Sequence, residues 1–179
     1  MCILTLTLMI EGTPSSLPFK HKWRAVFINS SYFFSKRGRH MIKKFVIGEK
    51  KSYKRSITQK EVDTFATLTQ DFNKAHYDEV YCEKTIFKKP IVHGMLVGSL
   101  FSKVFGLEYP GGGMIYCSQT LKFLKPVYPD TTLDIVITVK DIILEKNRVI
   151  FTTEVFNEAN ECVLTGEAML MPRKEEDCE

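Results

Sequence analysis

"IVHGMLVGSLFSKVFG", residues 91–106, decides the fold. Pro90 biases Lys89 towards an extended conformation and Gly106 offers a stop, so the pattern predicts a helix of roughly four turns between them. Only Ser99, Ser102 and Lys103 bring polar heads, and apolar or small residues fall on every side. Such a helix needs enclosure rather than a place on a surface. Gly94 and Gly98, lacking side chains, let a neighbour pack very close to it.

C-terminal to this helix the period changes. "YPGGG" (109–113) reads as a permissive turn; it is no phosphate cradle, since Gly-Lys-Ser/Thr is missing and a strand, not a helix, comes next. In "MIYCSQTLKF" (114–123) Ile115, Cys117, Gln119, Leu121 and Phe123 share one face. In "TLDIVITVKDI" (132–142) Leu133, Ile135, Ile137 and Val139 oppose Asp134, Thr138 and Lys140. "RVIFTTEVF" (148–156) and "ECVLTGEAML" (161–170) follow, with "EKN" (145–147) and "NEAN" (157–160) as hairpin turns.

N-terminal to it, "KKFVIGEKKSYKRSI" (43–57) suggests a short strand and a basic connector. "SITQKEVDTFATLTQ" (56–70) reads as a helix capped by Thr58, with Glu61 reaching back and Val62, Phe65, Ala66 and Leu68 or Thr69 as its apolar stripe. Helix early and consecutive antiparallel strands late make the fold α+β, a sheet curling around one buried helix.

"DFNKAH" (71–76) holds an acid and an imidazole five residues apart. On a helix these would diverge by about 140°, so they converge only in an irregular loop. The capped helix should stop near Gln70, because Asp71 and Asn73 favour turns, and this delivers the pair into such a loop. Gly94 falls in the first turn of the buried helix, where backbone amides lack intrahelical acceptors and the dipole is positive. A carbonyl oxygen can approach that amide directly, which is what an oxyanion developing on a thioester requires.

Charge is distributed unevenly. Residues 1–40 hold Lys20, Lys22, Arg24, Lys36, Arg37 and Arg39 against Glu11 alone, while the rest of the chain carries 19 of the 25 basic and 20 of the 21 acidic residues. A balanced body excludes a basic nucleic-acid stripe. The acid-poor leader, rich in Ser and aromatics, reads as a mitochondrial transit peptide placing the protein in the matrix, with an unstructured extension or a secretory signal as alternatives. No apolar run nears the ~20 residues of a membrane span. Five scattered cysteines (Cys2, Cys82, Cys117, Cys162, Cys178) without a CxxC pair argue against a disulfide framework or zinc site. The expected divisions are a leader over 1–40, a folded body over 41–172 and an acidic tail over 173–179.

Three separated blocks, "DFNKAHYD" (71–78), "FKKPIVHGM" (87–95) and "GGMIYCSQTLKFLKPV" (112–127), resemble in order and spacing the R-specific enoyl-thioester hydratases of the MaoC-like family, across roughly residues 55–170. The resemblance implies the hotdog fold, a curved antiparallel sheet wrapped around a central helix, and a homodimer using neither metal nor bound cofactor. It implies Asp71 and His76 as the catalytic pair, Gly94 as the amide that binds the thioester oxygen, and Ser102 as a serine that helps hold the pair. Phe72, Asn73, His93, Met95, Leu96 and Phe101 are the candidate substrate contacts, the apolar ones lining an acyl channel or simply filling the core. Two departures occur: Lys74 stands where the family often has Pro, so loop rigidity must come from packing, and Asp130-Thr131 replaces a common Gly-Asp.

The implied reaction is reversible dehydration of a (3R)-3-hydroxyacyl thioester carried on acyl-carrier protein or CoA, within mitochondrial fatty acid synthesis. A non-catalytic hotdog module binding acyl thioesters or protein is the alternative, and the retained Asp/His pair argues against it. A peroxisomal CoA hydratase is disfavoured by the C-terminal "EEDCE". Lys84, Lys88, Lys89, Lys122 and Lys125 either meet carrier phosphates or an acidic carrier, or are solvated.

Overall fold

The computed structural model describes Ile42 and residues 44–172, so the expected leader and acidic tail lie outside the described residues. Within them the chain runs β1 (Lys50–Ser56), α1 (Gln59–Thr69), a 3-10 turn (Lys74–His76), α2 (Glu79–Glu83), α3 (Gly94–Lys103), β2 (Met114–Gln119), β3 (Lys122–Phe123), β4 (Thr132–Ile143), β5 (Arg148–Phe156) and β6 (Cys162–Pro172). The strands form one antiparallel sheet in the order β1-β4-β5-β6-β2, with β3 also pairing to β6.

Strand alternation decides which face is buried. On β5 every second residue is buried, and Ile135 against Val155 and Val139 against Phe151 align the apolar sets of neighbouring strands. Leu133, Ile137, Val149, Leu164, Ala168 and Leu170 complete that concave face. Helix α3 lies in it through Val97, Leu100, Phe101 and, one turn further, Val104 and Phe105. Bulges between Val139 and Asp141 and between Tyr116 and Ser118 add the local twist that lets the sheet curl. The expected hairpins are present, with Asn147 and Asn160 adopting the positive φ such turns use.

Three local expectations change. The basic stretch 50–56, expected as a connector, is itself edge strand β1; its lysines suit an unpaired edge. The helix does not close at Gly106: α3 widens into a π-helical turn over Val104–Glu108. "MIYCSQTLKF" is not one strand but two, β2 and β3, broken at Thr120-Leu121. The break follows from Gly166 on β6, where a Cβ would lie 1.8 Å from the Thr120 carbonyl oxygen, so the chain crosses over β6 in contact with its backbone. Gln119 anchors the crossing, its Nε2 donating to the Thr120 carbonyl at 2.7 Å and to the buried Thr153 hydroxyl at 2.9 Å.

The crossing carries Leu121 and Phe123 onto the two helix glycines. A Cβ on Gly94 would meet Phe123 Cε1 at 2.8 Å, and one on Gly98 would meet Leu121 Cδ1 at 2.8 Å. The close packing anticipated at both glycines is therefore with the β2–β3 segment. Among the described residues the enclosure of α3 is incomplete: Met95, Ser99, Ser102 and Gly106 form an exposed stripe along it.

Candidate active site

Helix α1 carries a full capping box, with the Thr58 side chain accepting from the Glu61 amide and the Glu61 carboxylate accepting from the Thr58 amide at 2.9 Å. It ends at Gln70, whose φ of 60° turns the chain sharply. The next residues fold on their own side chains. Asp71 Oδ1 accepts from the Asn73 amide at 3.3 Å, and Asn73 Oδ1 accepts from the Ala75 amide at 3.0 Å. These turns, not a proline, set the loop; the Ile91 amide donating to the Ala75 carbonyl at 3.0 Å ties it to the segment entering α3. Cys82 Sγ adds a weak bond to the same carbonyl at 3.4 Å.

Asp71, His76 and His93 come together here, each offering a side-chain donor atom within 4.8 Å of the others'. His76 Nδ1 lies 2.7 Å from the Ile91 carbonyl oxygen. An oxygen with no proton fixes the tautomer: Nδ1 carries the hydrogen and the Nε2 lone pair is free. His93 Nε2 lies 3.0 Å from the Asp71 backbone oxygen and likewise carries its hydrogen. The two rings stack at 3.7 Å with 26° between their planes. His76 is partly buried, and desolvation holds its pKa below the ordinary imidazole value. The neighbouring His93 pushes the same way, while the Ile91 carbonyl and the Asp71 carboxylate oppose.

Gly94 opens α3 directly after His93. The amides of Leu96 and Val97 both donate to the His93 carbonyl, so the Gly94 and Met95 amides stand ahead of the first intrahelical bond. Gly94 also borders a largely apolar groove of about 440 Å³ lined by Ile86, Phe87, Met95, Phe123, Leu124 and Val127 among others.

The other expected site residues are placed differently from one another. Phe72 and Met95 are exposed at 63% and 60%, and Asn73 is occupied in capping the loop. Phe101 is fully buried in the core, and Leu96 packs against it from a partly buried position; both are scaffold rather than channel in a single chain. His93 is 2% exposed and is no surface for substrate. Ser102 lies eight residues beyond Gly94, about 12 Å along the helix, beside a smaller cavity of about 130 Å³ with Phe105, Met114, Tyr116 and Leu170. One chain does not bring it to the Asp71–His76 pair. Sequence reasoning missed the link from His93 back to Asp71, which only the fold provides.

A curved antiparallel sheet around a helix defines a hotdog-fold protein, and here an acid and two imidazoles gather at the start of that helix. Residues 45–160 match the MaoC-like domain model, and the chain belongs to the MaoC-like family. It is similar to an (R)-specific enoyl-CoA hydratase of Aeromonas caviae, 36% identical over 69% of this chain and 92% of the relative. It is also similar to a mitochondrial 3-hydroxyacyl-[acyl-carrier-protein] dehydratase of Arabidopsis thaliana, 35% identical over 64% of this chain and 69% of the relative. Among solved structures, an unliganded R-hydratase of Pseudomonas aeruginosa superposes with a TM-score of 0.69 at 38% identity, covering 75% of this chain and 86% of that one.

Proposed function

We propose that this chain is a hydro-lyase that reversibly dehydrates (3R)-3-hydroxyacyl thioesters to trans-2-enoyl thioesters. The observation that carries the reading is the gathering of Asp71, His76 and His93 donors within 4.8 Å, immediately before the free amides that open α3. In the hydration direction, water adds its oxygen to C3 and a proton reaches C2, so no other reactant is consumed. His76 Nε2, neutral at pH 7, exchanges the proton, and Asp71 orients the water and shares the proton load. As charge develops on the thioester oxygen, the Gly94 amide stabilises it, a role commonly worth ~3 kcal/mol per donor. Syn addition suits a pair placed on one side of the substrate.

The groove beside Gly94 is roomy enough for a thioester arm, and Lys125 lines it. Acyl-carrier protein is the proposed carrier and the mitochondrial matrix the proposed compartment; the basic leader and the plant relatives support both. The proposed assembly is a homodimer. It would bury the open stripe on α3, and an antiparallel α3 pair would bring Ser102 of one copy towards Gly94 of the other.

The deciding experiment measures turnover of enoyl thioesters of several chain lengths on CoA and on acyl-carrier protein, with Asp71→Asn and His76→Ala as controls. Hydration lost in both variants supports the reading, and wild-type protein inactive on every substrate overturns it. A higher kcat/KM with CoA overturns the carrier assignment alone. Import of a fluorescent fusion bearing residues 1–40 tests the compartment.

A further inference from the structure

We propose that His93 is the positioning residue of this site, locking the Asp71 backbone with one ring edge and the His76 imidazole with one ring face. Three contacts support this. Its Nε2–H donates to the Asp71 carbonyl at 3.0 Å. Its ring stacks on His76 at 3.7 Å. Its own backbone carbonyl accepts from Leu96 and Val97 and so starts the helix whose first amide belongs to Gly94. Acid and imidazole are thereby referred to a single buried side chain, and the oxyanion donor follows directly on that residue's backbone. Phe65 from α1 holds its position, with ring centroids 5.2 Å apart.

The other edge of the ring excludes a purely packing role. His93 Nδ1 is buried and has no hydrogen-bond partner among the described residues. A buried acceptor left unsatisfied is costly, and phenylalanine would fill the same slot without that cost. A residue serving only the core would be improved by the exchange; a residue holding Asp71 would not.

The charged and titratable groups around the pair are few. Asp71 Oδ2 lies 4.0 Å from His93 Nε2; Tyr77 is close to His93, with its hydroxyl donating to the Val62 carbonyl; Lys74 and Asp78 face each other at 4.0 Å on the loop side, and Cys82 bonds the loop backbone. His93 is thus the group stacked on His76, and its removal takes away an influence that opposes protonation of His76.

The inference rests on the proposed activity for its kinetic readout and stands apart from it for its spectroscopic one. Two variants divide the contacts: His93→Gln keeps a donor for the Asp71 carbonyl and loses the ring, while His93→Phe keeps a ring face and loses the donor. The expected result is that both fold, with Tm for His93→Phe no higher than wild type, because the gain at Nδ1 is offset by the donor lost from the Asp71 carbonyl. Both lose kcat by on the order of 10-fold or more, in line with the sensitivity of such sites to misplacement, with KM little changed. The NMR titration of His76, assigned against His76→Ala, should move upward in both. That titration reads the His93–His76 coupling even if no enoyl thioester is turned over. An unchanged His76 titration in both variants, or wild-type kcat in an active wild-type background, overturns the proposal. A raised Tm for His93→Phe with neither readout moved assigns His93 to the core instead.

Discussion

At the scale of single residues, the site turns on which nitrogen is free. The Ile91 carbonyl accepts a hydrogen bond from His76 Nδ1–H and leaves Nε2 as the proposed base, and burial favours the neutral form of the ring. A base with a depressed pKa is active above that pKa and switched off as pH falls through it. The acid limb of kcat/KM should therefore have its midpoint below the ordinary imidazole value of about 6.5. A midpoint above that value in a pH–rate profile would contradict the assignment. Removing the base by His76→Ala should lower kcat by ~10²–10⁴-fold, the range general acid–base catalysis supplies, with far-UV circular dichroism unchanged. Asp71→Asn should lower it comparably, because the loop hydrogen bond that Oδ1 accepts is retained by the amide oxygen. The convergence of Asp71 and His76 was legible from turn-forming residues placed after a capped helix. The burial of His93 was not. It depends on α1 and α3 meeting through Phe65, a tertiary contact that leaves no mark on local spacing.

At the scale of elements, two glycines of similar appearance differ in what they permit. At Gly98 an added methyl meets Leu121 Cδ1, the far end of a flexible side chain, and alanine returns up to ~1 kcal/mol of helix propensity. Gly98→Ala should change stability by less than ~1 kcal/mol. At Gly166 the methyl meets the Thr120 backbone oxygen at 1.8 Å, where neither strand can yield without losing the crossing. Overpacking typically costs ~1–3 kcal/mol, and Gly166→Ala should lie at the top of that range or beyond. Urea unfolding of the two variants measures both, and equal midpoints would contradict the account. Periodicity foretold the helix end at Gln70, the alternation on β4 to β6 and both hairpins, since each is set by residues within a few positions. It misread 114–123 as one strand, because the break is imposed by a glycine some 46 residues away on β6. It also read 43–57 as a short strand and a basic connector, whereas the basic stretch is itself the strand and Phe45, ahead of it, packs edge-on against Tyr109 and Phe151.

At the scale of the whole molecule, the described residues of one chain leave its central helix unfinished. The sequence asked for enclosure on every side, yet Met95, Ser99, Ser102 and Gly106 lie open along α3. Beside them, β2 is an edge strand presenting Ile115 and Tyr116, both more than a third exposed. Small residues on a helix let a second helix approach closely, and an unpaired edge can extend a sheet into a second copy. The two features adjoin, because β2 follows α3 in the chain and both border the cavity that holds Ser102. The expected solution state is therefore a dimer closed across β2 and α3, measured by light scattering on the purified protein. Ile115→Lys places a charge on the paired edge and should shift the protein to monomer while leaving the far-UV spectrum intact. If Ser102 reaches the proton-transfer pair only from the second copy, that monomer should also lose most of its turnover, and Ser102→Ala in the intact dimer should lose part of it. A wild-type monomer, or an Ile115→Lys monomer with full kcat, would show that the site is complete in a single chain and that the open stripe on α3 serves something else.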